Sequence, residues 1–311
     1  MQFNSTLRYL IFLFIGFITN SYAIHDGQIG VLQYNVKASS AVWTNPALRD
    51  KQLKLIETQI KAAPNKVDFI ALEEANAEFG IPGPLLSTVL TDKKMMGWQT
   101  IVSVCGTDST QLTYNAQNWT LIKALANGQR PQVCWAKGNA LIALIRPHSN
   151  PYGRPYNMAY FQSRQQPHLK VLVIPTHMPH WKPGYIKSQQ WMLTAFRLRA
   201  TAVTGVSNLH PVNMIFVGDM NELGANDKIT TRVLDPIFGK SSLSPPQSSC
   251  CYNDDFQYAT DRVATNISTT MTSALLSPAG GYPINKSSGF LRSNEEHKAV
   301  FVTLTLPTQK H

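Results

Sequence analysis

Short, almost continuous apolar runs recur along most of this chain, and they constrain its fold more than any other feature. Residues 67–72 (VDFIAL) and 214–217 (MIFV) are examples, and neither run alternates between apolar and polar residues as a half-exposed strand does. Such runs predict strands that are buried on both faces. A sheet built from them needs helices or a second sheet to cover it.

The predicted elements are many strands and few helices, interleaved from one end of the chain to the other. Apolar residues near helical spacing predict helices over residues 46–63 and 185–206, whereas residues 76–96 and 223–253 have the composition of long loops with short helices. Strands are predicted at residues 30–36, 67–72, 99–104, 119–124, 139–145, 157–162, 169–175, 214–217, 258–265 and 299–306. No linker divides the chain, so we predict a single α/β domain over residues 24–311.

Residues 1–23 have the layout of a secretory signal peptide. Arg8 is the only charged residue among them, residues 9–18 are apolar, and Ser21 and Ala23 place small side chains before a cleavage site. The apolar run is shorter than the roughly 20 residues that span a bilayer. We therefore expect cleavage near Ala23 and a mature protein that is secreted, to the periplasm or the cell exterior. An uncleaved membrane anchor is the alternative.

Four cysteines in an exported chain make disulfides possible, and they allow three pairings. Cys105 with Cys134 is the favoured pair, because both residues flank predicted strands and close a loop of moderate length. Cys250 and Cys251 are adjacent, so a bond between them would be a strained vicinal bridge. No Cys/His spacing indicates a zinc site.

The charge of the chain is strongly basic, with 28 Lys and Arg against 18 Asp and Glu and a net charge of +10. A hydrophobic fraction of 43% excludes an intrinsically disordered chain. A basic protein attracts polyanions, so we expect DNA or another phosphate-ester polyanion as a binding partner, with an anionic membrane surface as a second partner. The alternative is that the charge serves only solubility. The sequence indicates no obligate protein partner.

Polar side chains stand at the ends of several predicted strands. Each alone is an ordinary turn residue or solvated strand end. Together they predict one site of oxygen and imidazole ligands, held by the apolar bodies of the strands. The groups are Gln33-Tyr34-Asn35, Leu72-Glu73-Glu74, Thr176-His177, Gly218-Asp219-Met220-Asn221 and Asn294-Glu295-Glu296-His297.

These groups resemble motifs of the endonuclease/exonuclease/phosphatase superfamily, especially its pancreatic-deoxyribonuclease and cytolethal-distending-toxin B branches. The resemblance extends from about residue 28 to residue 306 and includes Gly138-Asn139-Ala140 and Thr260-Asp261-Arg262-Val263. Its most specific part is Gly218-Asp219-Met220-Asn221 after an apolar strand. The fold that it implies is a four-layer α/β/β/α sandwich, in which two packed mixed sheets are flanked by helices.

The resemblance also implies a metal site and a reaction. The reaction is divalent-metal-dependent hydrolysis of a phosphate ester, foremost of DNA phosphodiester bonds by an endonuclease. The implied metal ligands are Asn35, Glu74 and Glu296, whose oxygens suit Mg²⁺, with Mn²⁺ or Ca²⁺ as substitutes.

The implied catalytic side chains surround the phosphate. Asp219 would activate the attacking water, and Asn221 would hold Asp219 or a phosphate oxygen. His177 and His297 would donate to the non-bridging oxygens as charge develops. Asp261 would bind the other nitrogen of His297 and fix its tautomer.

Two departures from the family pattern stand in this site. The family usually has Gln-Glu where this chain has Glu73-Glu74, and Ser-Asp-His where it has Glu295-Glu296-His297. Glu is one methylene longer than Asp, which predicts altered metal geometry or affinity at Glu296.

Two other functions fit the same residues. A lipid-headgroup hydrolase, either a phosphoinositide phosphatase or a sphingomyelinase, would use the same site. A weakly active toxin subunit would keep the fold and lose full activity, and the change at Glu296 is its support.

Overall fold

The structure is a computed structural model, and no helix in the part of the chain that it describes is long and apolar enough to cross a membrane. The predicted signal peptide, most of the helix predicted at 46–63 and the strand predicted at 139–145 lie outside the described residues. The described residues are 27–36, 58, 62–63, 67–74, 97–105, 108–125, 133–135, 154–179, 189–221, 228–250, 258–267, 269–276 and 297–307.

The first of two six-stranded sheets unites the two ends of the described chain. Its strands are β1 (Gln28–Asn35), β2 (Phe69–Glu73), β3 (Trp98–Cys105), β4 (Asp108–Asn115), β13 (Thr270–Leu275) and β14 (Val300–Thr305). They lie in the order β13-β14-β1-β2-β4-β3. β1 and β2 are parallel, and the other neighbours are antiparallel.

The second sheet has the same mixed character. Its strands are β5 (Trp119–Ala124), β8 (Ala159–Ser163), β9 (Lys170–His177), β10 (Met214–Asp219), β11 (Ser242–Leu243) and β12 (Asp261–Thr265). They lie in the order β11-β12-β10-β9-β8-β5, and only the pair β9 and β10 is parallel within this described sheet. A short ribbon pairs β6 (Cys134–Trp135) with β7 (Arg154–Pro155).

Helical segments follow β9 and β10. Helix α1 (Gln189–Thr204) connects these two strands. After β10, one π-helical turn (Thr230–Leu234) continues into the short helix α2 (Asp235–Phe238). The segment predicted as a loop with short helices, residues 223–253, therefore contains a helical turn in its described part.

The sheets pack face to face through alternate residues of their strands. Val31 and Phe69 from the first sheet share a buried cluster with Val173 and Val217 from the second. On the outer face of the second sheet, Phe196 of α1 packs in a separate cluster. The outer face of the first sheet has its own buried cluster, formed by Leu32, Tyr34, Val36, Val67, Ile70, Leu72, Leu276, Ala299 and Phe301. The prediction of two packed mixed sheets with helices outside them is confirmed.

The structure contains strands that the sequence analysis did not predict. In β4 (DSTQLTYN), Ser, Thr and Gln occupy buried positions, so the apolar run that marks the other strands is missing. Its hydroxyls bond across the hairpin instead, with Thr110 Oγ1 at 3.0 Å from Ser103 Oγ and Thr113 Oγ1 at 2.8 Å from Thr100 Oγ1. β13 (TMTSAL) is half exposed at a sheet edge and is polar for that reason.

Asp68 is a buried carboxylate that ties β1 to the turn before β5. Its Oδ2 accepts from the backbone N–H of Gly30 at 3.0 Å. Its Oδ1 accepts from Asn118 Nδ2 at 3.0 Å and from the indole N–H of Trp119 at 2.9 Å. Burial raises the pKa of Asp68 despite these three donors.

A disulfide joins Cys105 to Cys134, with a Cα–Cα distance of 5.4 Å, as the sequence analysis favoured. It connects the end of β3 to the short strand β6. Cys250 also takes part in a disulfide, whereas Cys251 lies outside the described residues.

Candidate active site

The facing surfaces of the two sheets change from apolar to polar at one edge of the sandwich. On β10 the inward positions are Ile215, Val217 and then Asp219. β1, β2, β9 and β10 end at this edge, while the antiparallel β4, β12 and β14 begin there. The topology therefore gathers polar residues that are remote in sequence. They are Gln33, Asn35, Glu73, Glu74, Asp108, His177, Asp219, Asp261 and His297.

Asp219 lies at the centre of this group. Its Oδ2 accepts a hydrogen bond from Asn35 Nδ2 at 3.1 Å, and its Oδ1 accepts one from the backbone N–H of Asn221 at 2.9 Å. Oδ2 is also 3.6 Å from His177 Nε2 and 3.8 Å from His297 Nε2. Burial opposes ionisation, but the two imidazoles and the two hydrogen bonds outweigh it and lower the pKa of Asp219.

His297 is paired with Asp261, as the resemblance implied. The two side chains meet at 2.7 Å between Nδ1 and Oδ2, and both are buried. Burial lowers the pKa of His297, but the charge of Asp261, its hydrogen bond and the charges of Asp219 and Glu74 raise it to about 9. His297 is therefore an imidazolium at neutral pH in this environment.

His177 has a corresponding partner that the sequence analysis missed. Asp108 Oδ2 lies 2.8 Å from His177 Nδ1, and Arg154 Nη1 lies 3.1 Å from the same oxygen. Burial lowers the pKa of His177, yet the charge and hydrogen bond of Asp108 and the charge of Glu74 give a net increase. Asp108 belongs to the strand β4 that lacks an apolar run, and Arg154 to a two-residue strand, so neither had a sequence signal.

Backbone conformation is unusual at two residues of the site. Glu74 (φ 52°) and Asn221 (φ 49°) are the non-glycine residues with positive φ in the described part of the chain. Such conformations are strained and persist where the surroundings impose them, often at functional sites. The side chain of Asn221 donates to the carbonyl of Met178 at 2.6 Å, so this amide joins the ends of β9 and β10, while its backbone N–H holds Asp219.

Gly218 is required by close packing between β9 and β10. Its φ is 147°, and a Cβ at this position would lie 1.8 Å from the carbonyl oxygen of Thr176. The same Cβ would lie 3.0 Å from Glu73 Oε1, on the opposite sheet. A side chain would therefore push apart the strand ends that carry His177 and Asp219.

Gln33 and Glu73 form a buried polar contact beneath these residues. Gln33 Nε2 donates to Glu73 Oε2 at 2.8 Å and to Asp261 Oδ1 at 2.7 Å. Burial, followed by the charges of Asp261 and Asp219, raises the pKa of Glu73 well above its ordinary value. In the sequence, position 73 is a departure from the family pattern beside a metal ligand, and nothing there predicts this contact.

The donor set at the site fits a hard divalent cation. Asn35 Nδ2 lies 3.4 Å from Glu74 Oε1, which places two of the three expected ligands side by side at the strand ends. Asp219, Asp261 and His297 also offer ligand atoms within 4.8 Å of one another, a spacing that could hold a metal ion. Carboxylate and amide oxygens are the ligands that Mg²⁺, Mn²⁺ and Ca²⁺ prefer.

The structure brings together most of the residues expected at the site. The seven described ones are Asn35, Glu74, His177, Asp219, Asn221, Asp261 and His297, and all lie at the same edge of the sandwich. The third expected metal ligand, Glu296, lies outside the described residues, as do Glu295 and Gly138-Asn139-Ala140.

Known structures share this fold at low sequence identity. An endonuclease/exonuclease/phosphatase family protein from Bacteroides thetaiotaomicron is 12% identical, with a TM-score of 0.59 and coverage of 91% of this chain and 97% of that one. The catalytic domain of human Nocturnin with bound sulfate is 14% identical, with a TM-score of 0.57 and coverage of 90% and 95%. A mannosyl-6-phosphatase from B. thetaiotaomicron is 13% identical, with a TM-score of 0.55 and coverage of 89% and 100%.

No sequence model of a protein family matches this chain, and neither does the sequence of a curated protein. The structural matches thus establish the fold, which is that of the endonuclease/exonuclease/phosphatase proteins. They confirm the fold expected from the resemblance over nearly the whole of each compared chain.

Proposed function

We propose that this protein is a divalent-metal-dependent phosphoesterase, and that its substrate is DNA, which it cleaves as an endonuclease. The observation that carries the proposal is the position of Asp219 between two imidazoles. Its Oδ2 lies 3.6 Å from His177 Nε2 and 3.8 Å from His297 Nε2. Hydrolysis by an in-line water needs a base beside groups that donate to the phosphate, and this arrangement supplies both.

Asp219 is the base in this proposal. Its lowered pKa keeps the carboxylate ionised at neutral pH, so it can accept a proton from water. Asn35 and the backbone N–H of Asn221 hold its two oxygens from different sides. The carboxylate is therefore oriented before a substrate binds.

His297 and His177 supply positive charge where the phosphate oxygens would lie. With a pKa of about 9, His297 carries a proton at neutral pH that it can donate to a non-bridging oxygen. Asp108 supports the protonated form of His177 in the same way. Arg154 Nη1 lies 3.5 Å from Glu74 Oε1 and adds a permanent charge at the same edge.

A bound divalent cation would neutralise charge on the phosphoryl group and polarise it toward attack. Asn35 and Glu74 are the described residues that would hold it, with Glu296 as the third ligand that the resemblance implies.

The choice of DNA rests on charge. A net charge of +10 favours a polyanion over a small neutral ester, because binding releases the counterions condensed on the polymer. A phosphomonoesterase is a second candidate, since one of the structures with this fold is a mannosyl-6-phosphatase. A hydrolase of phosphoinositides or sphingomyelin is a third, because an anionic membrane would attract the same basic charge.

One substrate panel tests these candidates. Purified protein is incubated with supercoiled plasmid, mannose 6-phosphate, and vesicles that contain a phosphoinositide or sphingomyelin, with Mg²⁺ or with EDTA. Nicked plasmid with Mg²⁺ and intact plasmid with EDTA is the expected result. Phosphate release from a monoester or a lipid, with the plasmid intact, would replace DNA as the substrate. The Asp219→Asn variant is the control for contaminating nucleases.

We also propose that the protein is exported after removal of residues 1–23. The layout of those residues supports export, and so does the Cys105–Cys134 disulfide, because such bonds persist mainly in oxidising compartments. N-terminal sequencing of the protein from the native culture medium or periplasm tests this. A mature chain that begins near Ile24 is expected, and a retained Met1 would contradict cleavage.

A further inference from the structure

Gln33 lies beneath the reacting groups and connects the two sheets. It is fully buried on the inward face of β1, and its single amide nitrogen donates to two carboxylates. One, Glu73, belongs to the neighbouring strand β2. The other, Asp261, begins β12 in the opposite sheet and is 228 residues away in sequence.

The two carboxylates determine which way the Gln33 amide faces. The NH₂ group points at Glu73 Oε2 and Asp261 Oδ1, and the amide oxygen points away from both. Glu73 Oε2 can accept this hydrogen bond whether the carboxyl group is ionised or carries a proton on Oε1. Both hydrogens of the NH₂ group are then used. If Glu73 were apolar, one of these two constraints on the amide would be lost.

Glu73 is itself fixed by packing. Its Oε1 has no hydrogen-bond partner among the described residues and lies against Gly218. Its Oε2 accepts from Gln33 at 2.8 Å. Within the described site, Glu73 therefore serves as an acceptor that anchors the amide.

Asp261 is held at both of its oxygens as a result. Oδ1 accepts from Gln33 at 2.7 Å, and Oδ2 lies 2.7 Å from His297 Nδ1. A carboxylate bonded at both oxygens cannot turn about its last bond without losing one contact. The imidazole plane of His297 is fixed in turn, with Nε2 at 3.8 Å from Asp219 Oδ2.

We propose that Gln33, anchored by Glu73, is a positioning residue that orients Asp261 and, through it, His297. This inference rests on the proposed phosphoesterase function only for its effect on turnover. Gln33 touches none of the atoms that would react, so its loss should lower kcat and leave KM unchanged.

The first experiment replaces Gln33 and a matched glutamine by methionine. Gln33→Met is expected to lower kcat about tenfold, which is the scale of loss when a partner that orients a metal-bound histidine is removed. Gln111→Met is the control, because Gln111 is also fully buried in the first sheet. It is the cross-strand partner of Leu72, so it lies on the outer face of that sheet, away from Asp261. A similar loss in both variants would indicate a general packing effect and overturn the proposal.

The second experiment asks whether Gln33 acts through Asp261. In an Asp261→Asn background, Gln33→Met should cost less than a further twofold in kcat, since the group that Gln33 orients is already changed. If the two substitutions together lowered kcat by the full product of their separate effects, Gln33 would not act through Asp261, which would contradict the proposal. Glu73→Gln keeps a carbonyl that can accept from Gln33 and should retain turnover, whereas Glu73→Leu should behave like Gln33→Met.

A third measurement does not depend on turnover. The His297 Nδ1 proton, buried and bonded to Asp261, should give a downfield proton NMR resonance that is assigned by its loss in His297→Gln. The resonance should shift or broaden in Gln33→Met and stay in place in Gln111→Met. An unchanged resonance in Gln33→Met overturns the positioning role. If the wild-type protein cleaves no phosphate ester, the proposed function fails. This spectrum still tests whether Gln33 positions Asp261 and His297.

Discussion

His177 and Asp108 are 69 residues apart in sequence, and their side chains meet at 2.8 Å in the fold. Arg154 Nη1 reaches the same Asp108 oxygen at 3.1 Å. Because a carboxylate only accepts hydrogen bonds, Asp108 is the acceptor for both neighbours, and Arg154 Nη1 also lies 3.2 Å from His177 Nδ1. The proton of His177 is thereby held on Nδ1 or the ring is doubly protonated, and Nε2 faces Asp219 and Glu74 at 3.6 Å and 3.7 Å.

The Asp108→Asn variant tests this pairing. Loss of the negative charge removes the main support for protonated His177, so we expect kcat to fall about 10- to 100-fold. Steady-state kinetics on the substrate identified by the substrate panel would measure this fall in kcat. Asp235→Asn is the matched control, because Asp235 accepts a bond from Ser241 in a different region, and its turnover should match the wild type. Equal turnover in Asp108→Asn and wild type would remove Asp108 from the site.

Removal of a proposed reacting group should lower turnover more than the Asp108→Asn substitution does. His177→Ala, Asp219→Ala and His297→Ala should each lower turnover by about 10²–10³, the scale of losing one transition-state donor or base. Their circular dichroism spectra should match the wild type. Near-wild-type turnover in any two of the three would contradict the proposed site.

The raised pKa of His297 predicts how stability depends on pH. Between its ordinary value of 6.5 and its folded value of about 9, the folded protein binds a proton that the unfolded chain does not. The free energy of unfolding should therefore fall as pH rises through this window, by on the order of 3 kcal/mol from this residue. Urea denaturation in EDTA measures it. His297→Gln should lose that part of the slope, and identical slopes for both proteins would rule out the shift.

Substitution of Asp68 should lower the stability of the fold without changing turnover. Asp68→Ala leaves the N–H groups of Gly30, Asn118 and Trp119 without their acceptor in a buried place. We expect a loss of about 3 kcal/mol in the free energy of unfolding, with kcat unchanged below the melting temperature. A large change in kcat at a temperature where the variant is fully folded would contradict this prediction. It would show that the Asp68 contacts influence the active site.

Metal titration separates the expected ligands. Glu74→Gln and Glu296→Ala should each raise the Mg²⁺ concentration for half-maximal activity, since each loses a charged oxygen ligand. Glu296→Asp should shift that concentration and keep activity. An unchanged requirement in Glu296→Ala would remove Glu296 from the metal site. Glu295→Ala is its matched control, one residue away.

The sequence predicted the fold and the centre of the site because both depend on apolar runs and the residues that end them. Asn35, His177 and Asp219 each follow such a run, so their convergence could be expected from parallel strands that end at one edge. Asp108 could not be found in this way. Its strand is buried but polar, and the hydroxyl pairs that make burial possible, such as Ser103 with Thr110, appear only when β3 and β4 are paired.

Gln33 shows a second limit of sequence reasoning. Its residue type is ordinary for a strand end, and its role depends on two acceptors that lie 40 and 228 residues away. Glu73 departs from the family pattern, but its contact with Gln33, and the contact of Gln33 with Asp261 in the opposite sheet, appear only in the fold. Contacts between sheets of this kind follow from the packing of the whole sandwich.

The disulfide bears on how the protein should be prepared. In the β3–β4 hairpin, Cys105 is the cross-strand partner of Asp108. Its disulfide partner Cys134 lies on β6 next to Trp135, and Trp135 is the cross-strand partner of Arg154 on β7. The bond therefore links the two segments that deliver partners to His177. Protein made in a reducing cytoplasm, or assayed with dithiothreitol, would have these two segments unlinked. An assay that finds no activity is informative only for a sample whose mass shows the disulfide to be intact.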